Sequence, residues 1–282
     1  MAIERVTVLG AGTMGHGIAH AALAAGYRTR LFDVSDAAVA KGRAAIEQIA
    51  KTGVEIGKMT AADAAAMLER LSAGSSLADA LGDAGMIIEA APERIDLKLA
   101  LFAQIEALAP ADAIIASNTS ALSITELAGS LKNPGRVAGM HFFNPVHKMK
   151  LVEVVQALET APATLDAIGE VSRRMGKETV LVRESPGFIT TRVNASIGNE
   201  AFYMLMEGVA SARDIDKALK LGLNHPMGPF ELVDLVGLDT RLSILEYLHR
   251  SLGEKYRPCP LLAQYVKAGR LGRKVGKGVY EY

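Results

Sequence analysis

The 282-residue chain has no tryptophan, one cysteine and no surplus of either charge, since Lys plus Arg and Asp plus Glu both number 31. A lone thiol, Cys259 between Pro258 and Pro260, cannot close an internal disulfide, so a reducing compartment is compatible. With no conspicuous charged partner beside it, Cys259 reads as a loop or packing residue. Balanced charge leaves no footprint for nucleic acid or an anionic membrane, so an anionic ligand needs a local basic cluster. No apolar run is long enough to span a bilayer, and the first apolar strand begins too close to Met1 for a secretion signal. The expectation is a soluble, cytoplasmic protein. What is abundant is apolar: half the residues are hydrophobic, enough for a sizeable core in one large or two smaller domains.

The organising stretch lies near the N-terminus. Val6 to Leu9 reads as a buried strand, breaks at Gly10-Ala11-Gly12-Thr13-Met14-Gly15, and passes into an alanine-rich helix ending near Gly26. Strand, glycine turn and helix are the order that a dinucleotide site requires. Gly10 allows the tight turn, Gly12 lets a pyrophosphate approach the backbone, and Gly15 lets helix and strand pack closely. The helix N-terminus offers N–H groups and a positive dipole end to the phosphates. A second strand, Tyr27 to Phe32, ends at Asp33, where a carboxylate would accept hydrogen bonds from the adenosine ribose. Asp33 would repel a 2′-phosphate, and Val34 and Ser35 supply no arginine beside it, so NAD is expected over NADP.

Along the rest of the chain, helical and strand patterns alternate. Ala37 to Lys51 is helical, with Thr52-Gly53 expected to interrupt it; Thr60, with Asp63 three residues on, caps the next helix. Lys51 and Lys58, on this helical hairpin, either hold an anion or are simply solvated. Strands are expected at 86–91, 113–116, 136–140, 151–155 and 178–182, with helices over 97–108 and 162–176 and a capping box at Ser123–Glu126. After Glu184 only helical patterns are convincing: 189–206, 214–221, 228–236 and 239–252. The expected fold is α/β, a Rossmann-type doubly wound, mostly parallel sheet over 1–184, followed by a smaller all-α domain over 185–282. Broad apolar stripes on the later helices, such as Val193, Ile197, Ala201 and Leu205, imply an oligomer interface.

A dinucleotide site implies hydride transfer, and oxidising an alcohol also needs a base for the hydroxyl proton, a role suited to histidine. His16 and His20 stand four apart on the first helix, but no third ligand is apparent and no metal is expected. His147, His225 and His249 lack an obvious partner. His141 ends a strand at the carboxyl edge of the sheet, where ligands bind. Glu153 is a lone carboxylate in an apolar strand, and a buried carboxylate wants a partner. Pairing the two would orient the imidazole and raise its basicity; a purely structural histidine is an equal alternative on periodicity.

Several motifs occur together in one order: Gly10-Ala-Gly-Thr-Met-Gly15, Ser117-Asn-Thr-Ser120, His141-Phe-Phe-Asn-Pro145, Leu151-Val-Glu-Val-Val155, Ser185-Pro-Gly-Phe188, Pro226-Met-Gly-Pro-Phe230 and Asp234-x-x-Gly-Leu-Asp239. Across essentially its whole length the chain resembles the L-3-hydroxyacyl-CoA dehydrogenases, most closely the bacterial 3-hydroxybutyryl-CoA type. The resemblance implies His141 as catalytic base and Glu153 as its paired acid. It implies Ser120 near the substrate's 3-oxygen and the nicotinamide, and Asn144 at the nicotinamide end. It also implies Glu93, Lys98 and Lys274 as cofactor contacts and Lys51 as a CoA-binding lysine. One position departs from the pattern: Thr191 stands where many members carry an active-site asparagine, and Asn194 and Asn199 lie further along the same helix as possible substitutes. The resemblance also suggests a homodimer.

The expected reaction is reversible, NAD-dependent oxidation of (S)-3-hydroxyacyl-CoA to 3-ketoacyl-CoA, with short chains preferred. The rivals are a dehydrogenase of the same fold acting on a polar hydroxy acid without CoA, and a catalytically silent dinucleotide-binding protein.

Overall fold

The computed structural model describes residues 3–282. The chain forms two compact units, one ending at Glu184 and the other running from Ser185 to Tyr282. The first unit contains β1 (Arg5–Leu9), α1 (Thr13–Ala24), β2 (Arg28–Phe32), α2 (Asp36–Glu55), α3 (Ala61–Leu68), β3 (Leu71–Gly74), α4 (Leu77–Leu81) and β4 (Met86–Glu89). It continues through α5 (Ile95–Leu108), β5 (Ile114–Ser117), α6 (Ile124–Gly129), β6 (Val137–Phe142), β7 (Leu151–Gln156), α7 (Pro162–Arg174) and β8 (Glu178–Arg183). Its sheet has eight strands in the order β3-β2-β1-β4-β5-β6-β7-β8.

Connection length sets strand direction. Helices cross over between β1 and β2, between β4 and β5, and between β7 and β8, and these strands run parallel to their neighbours. Only the short link from Phe143 to Lys150 joins β6 to β7. It has no room for a crossover, so β7 runs antiparallel to β6. β1, β4 and β6 are buried on both faces, which explains their nearly continuous apolar sequences.

One local expectation differs from the structure, and one strand was not expected. Thr52-Gly53 does not interrupt α2, which runs on to Glu55 and is closed by Gly57 at φ +70°. A mid-helix glycine costs only about 1 kcal/mol, and α2 is anchored by buried Val39, Ile46 and Ala50. The four-residue β3 had no clear sequence signal, since it lies at the sheet edge and alternates between half-buried and exposed residues.

The second unit is helical: α8 (Thr190–Met206), α9 (Ala212–Gly222), α10 (Pro229–Val236), α11 (Leu238–Leu252) and α12 (Pro260–Lys267). Its core gathers Phe202, Ile215, Phe230, Val233, Leu245, Leu248 and Leu262. The Ser185-Pro-Gly-Phe188 turn starts this unit. Gly187 takes φ +74°, and Arg192 ties the turn down by donating to Ser185 Oγ at 3.1 Å and Tyr256 Oη at 2.7 Å. Cys259 is fully buried at the N-terminus of α12, with its Sγ 3.9 Å from Met206 Sδ, and burial pushes its thiol pKa up. Among the described residues no helix is long and apolar enough to cross a membrane.

Candidate active site

The glycine turn leaves β1 with Gly10 N–H donating to Phe32 O at 2.8 Å and enters α1 at Gly12. Two of its glycines are demanded by the protein's own packing. A Cβ on Gly10 would lie 2.6 Å from Ala90 O, and one on Gly15 only 1.6 Å from Gly10 O. Gly12 is different, since nothing lies within 4 Å of where its Cβ would be. Chain packing therefore does not explain a glycine there, whereas a phosphate approaching the backbone does. No side chain caps α1, so its first N–H groups remain oriented toward that space. Thr13 and Met14 occupy the first turn. The residues fit a dinucleotide.

Asp33 follows β2 and accepts from the Ala11 N–H at 2.8 Å through Oδ2. The carboxylate thus braces the glycine turn as well as ending the second strand. A carboxylate has about four acceptor positions, so this bond leaves capacity for ribose hydroxyls.

His141 lies one residue before the end of β6, and Glu153 lies within β7. The antiparallel register sets them directly opposite one another, on the same face of the sheet. His141 Nδ1 and Glu153 Oε2 are 2.7 Å apart, with 6% and 0% of the side chains exposed. An ionised carboxylate only accepts, so Nδ1 donates in this pair. The Phe143 ring sits 4.6 Å from the imidazole, centroid to centroid.

The turn after β5 brings further groups to the same carboxyl edge. Asn118 Oδ1 accepts the Phe142 N–H at 2.8 Å, tying this turn to the residue after His141. Glu93 Oε1 accepts from Thr119 Oγ1 at 2.5 Å and from the Ser120 N–H at 2.8 Å. Ser120 is half-buried and Asn144 is exposed.

Lys98 is almost fully buried, and its ammonium lies 2.5 Å from Glu89 Oε1 and 3.6 Å from Glu93 Oε2. Glu89 was not singled out from the sequence, although the signal that picked out Glu153, a lone carboxylate in an apolar strand, is present in Met86-Ile-Ile-Glu89. Removing one partner of such a buried pair costs about 3–5 kcal/mol, because it leaves an uncompensated charge.

The remaining candidates lie on other elements. Lys51 is exposed on α2, with Glu55 at 4.0 Å. Lys274, in the helical unit, lies 2.6 Å from both carboxylate oxygens of Asp239. Thr191 is half-buried in the first turn of α8. Asn199 cannot replace the missing asparagine: its amide donates to Arg257 O at 2.9 Å and accepts from the Cys259 N–H at 2.8 Å, so it serves the internal packing of that unit. Asn194 is exposed. His249, for which the sequence suggested no partner, has its Nε2 3.1 Å from Glu254 Oε1. His20 is buried against His147, the ring centroids 6.3 Å apart. Among the described residues no group of three or more His, Cys, Asp or Glu side chains is arranged to hold a metal ion.

Comparisons with known proteins agree over the full length. The sequence model described as "3-hydroxyacyl-CoA dehydrogenase, NAD binding domain" matches residues 5–185, and that of the C-terminal domain of the same family matches residues 187–282. The chain is 44% identical to 3-hydroxybutyryl-CoA dehydrogenase from Bradyrhizobium diazoefficiens, over 99% of this chain and 96% of that one. It is 43% identical to 3-hydroxybutyryl-CoA dehydrogenase from Clostridioides difficile, over 99% of each. The crystal structure of (S)-3-hydroxybutyryl-CoA dehydrogenase from Ralstonia eutropha superimposes with a TM-score of 0.96 at 44% identity, covering 100% of this chain and 99% of that one. The glycine cradle, the doubly wound sheet and these likenesses lead to one conclusion: the chain belongs to the NAD-dependent 3-hydroxyacyl-CoA dehydrogenase family.

Proposed function

We propose that this enzyme interconverts (S)-3-hydroxyacyl-CoA and 3-ketoacyl-CoA, preferring short chains such as 3-hydroxybutyryl-CoA and acetoacetyl-CoA, with His141 as general base. The observation that carries the reading is the buried 2.7 Å pair of His141 and Glu153 at the carboxyl edge of the sheet. NAD, when bound, supplies the acceptor for the hydride leaving C3. His141 takes the 3-hydroxyl proton on Nε2 as the hydride leaves, and returns it to the developing alkoxide in the reverse direction. Glu153 holds the ring through Nδ1 and stabilises the imidazolium that forms, a charge present in the transition state and not in the bound alcohol. Ser120 and Asn144 orient the 3-oxygen and the nicotinamide end.

Gly10 to Gly15 hold the pyrophosphate and Asp33 the ribose. Glu93, Lys98 and Lys274 serve the cofactor side, and Lys51 and Thr191 the acyl-CoA. Short-chain preference draws on the substrate named for the relatives from Bradyrhizobium, Clostridioides and Ralstonia. The helical unit carries the dimer contact, and exposed Val193, Val209, Leu221 and Leu223 provide apolar surface for it. The working form is a cytoplasmic homodimer. Oxidation of NADH by acetoacetyl-CoA, followed at 340 nm, is the direct test; no turnover with any 3-ketoacyl-CoA would sink the reading.

A further inference from the structure

Glu89 ends β4 with no exposure, after three buried apolar residues, Met86, Ile87 and Ile88, that fill the rest of the strand. A buried carboxylate is costly unless its oxygens are bonded. Here three donors from three segments meet it. The Lys98 ammonium on α5 and the Ala91 N–H reach Oε1 at 2.5 and 2.6 Å, and Ser117 Oγ at the end of β5 reaches Oε2 at 2.6 Å. The Glu89 carbonyl also accepts the Asn118 N–H at 2.8 Å.

From there the contacts run outward. Lys98 lies 3.6 Å from half-exposed Glu93, and Glu93 holds Thr119 Oγ1 and the Ser120 N–H. Asn118 holds the Phe142 N–H beside His141. The next residue, Ala90, lies against the glycine turn, its carbonyl filling the space a Gly10 Cβ would need. Charge follows the same row: Glu89 neutralises Lys98 in the interior, which leaves Glu93 to keep its hydrogen bonds at the surface end. Without Glu89, the Lys98 ammonium would have Glu93 as its nearest carboxylate and would draw it away from Ser120.

We propose that Glu89 is a positioning residue: through Lys98 and Ser117 it sets Glu93 and the 117–120 turn against the glycine cradle. The inference rests on the dehydrogenase reading above.

The test compares wild type with Glu89→Gln, which keeps side-chain volume and removes the charge, and with Ser117→Ala, which removes only one bond to the carboxylate. NADH affinity is read by fluorescence titration of the purified protein, and kcat and KM by acetoacetyl-CoA reduction. Glu89→Gln should weaken NADH binding and lower kcat, each by about tenfold or more, while KM for acetoacetyl-CoA stays within about threefold. Ser117→Ala should shift kcat in the same direction, by about threefold, and lower the melting temperature less than Glu89→Gln does, since Oε2 loses its donor but the Lys98 pair stays. It decides the matter if Glu89→Gln does not fold. A folded Glu89→Gln with lowered melting temperature but near wild-type NADH affinity and kcat would overturn the proposal and leave Glu89 as an ion-pair partner only. Wild-type kcat in Ser117→Ala would overturn the path through the 117–120 turn. Failure of wild type to bind NADH or reduce acetoacetyl-CoA would instead fault the dehydrogenase reading.

Discussion

His141 and Glu153 stand opposite one another in register across two antiparallel strands, 2.7 Å apart and buried. The pairing depends on direction as much as on sequence. Because the chain returns from β6 to β7 by a short link, the carboxylate is carried back onto the same face as the imidazole. A one-residue slip would turn Glu153 to the other face.

Two glycines of the cradle, Gly12 and Gly15, should separate in experiment. Gly12→Ala meets no atom of the protein within 4 Å, so its melting temperature should stay within a few degrees of wild type. Its NADH affinity should fall by about tenfold or more, because the Cβ occupies the phosphate's approach. Gly15→Ala drives a Cβ into the Gly10 carbonyl and should lose stability first. Calorimetry with NADH titration separates the two; equal NADH affinity in Gly12→Ala and wild type would contradict the assignment of the cradle.

Much of this site was legible in the sequence because its signals are local. The glycine spacing and the acid at the end of β2 are each read within a few residues; His141 and Glu153 stand out at a strand end and in an apolar strand, but their pairing is one of two equal readings until the resemblance is added. Glu89 carries the same local mark, a lone carboxylate in an apolar strand, but its partner Lys98 lies nine residues on, on a helix, where no strand-to-strand register pairs them. The 117–120 turn shows a different limit. Ser120 came from resemblance, whereas the hydrogen bonds that hold it come from Glu93 on another connection, and no spacing rule pairs those two. The antiparallel direction of β7, set by its short connection, was not read from the sequence, and the edge strand β3 has too few buried residues to leave a periodic mark.

Cofactor choice follows from Asp33. A carboxylate at the end of β2, with no arginine in the next two positions, disfavours a 2′-phosphate. NADH should exceed NADPH by at least about tenfold in kcat/KM, or about 1.4 kcal/mol in transition-state stabilisation. Equal use of both by the wild type would refute this.

Acid stability should depend on His20. Burial, with His147, Lys177 and His16 nearby, lowers its imidazole from 6.5 to about 4. The unfolded chain therefore binds this proton at higher pH than the folded one does. Stability is intact above about pH 6.5 and is lost as pH falls toward 4, by about 3 kcal/mol in all from this group. The leucine variant, His20→Leu, removes the titrating group, so its melting temperature should fall less between pH 7 and 4.5 than that of the wild type. Identical pH profiles would exclude His20 as a source of acid lability.

Assembly is tested by sedimentation at micromolar concentration, where the wild type should run as a dimer or a multiple of it. A clean monomer would remove the helical unit's exposed apolar residues from consideration as an interface.

The proton-transfer pair is tested most directly by acetoacetyl-CoA reduction in His141→Gln, Glu153→Gln and the double variant. His141→Gln removes the base while roughly keeping side-chain size, and kcat should fall by about 10²–10⁴-fold. Glu153→Gln removes the charge that stabilises the imidazolium, so kcat should fall while KM for acetoacetyl-CoA changes little. The two losses should not add in the double variant, because both disable one unit. NADH affinity should persist in all three, since the glycine turn and Asp33 are untouched. A folded His141→Gln that binds NADH and retains most of the wild-type kcat would contradict His141 as the base.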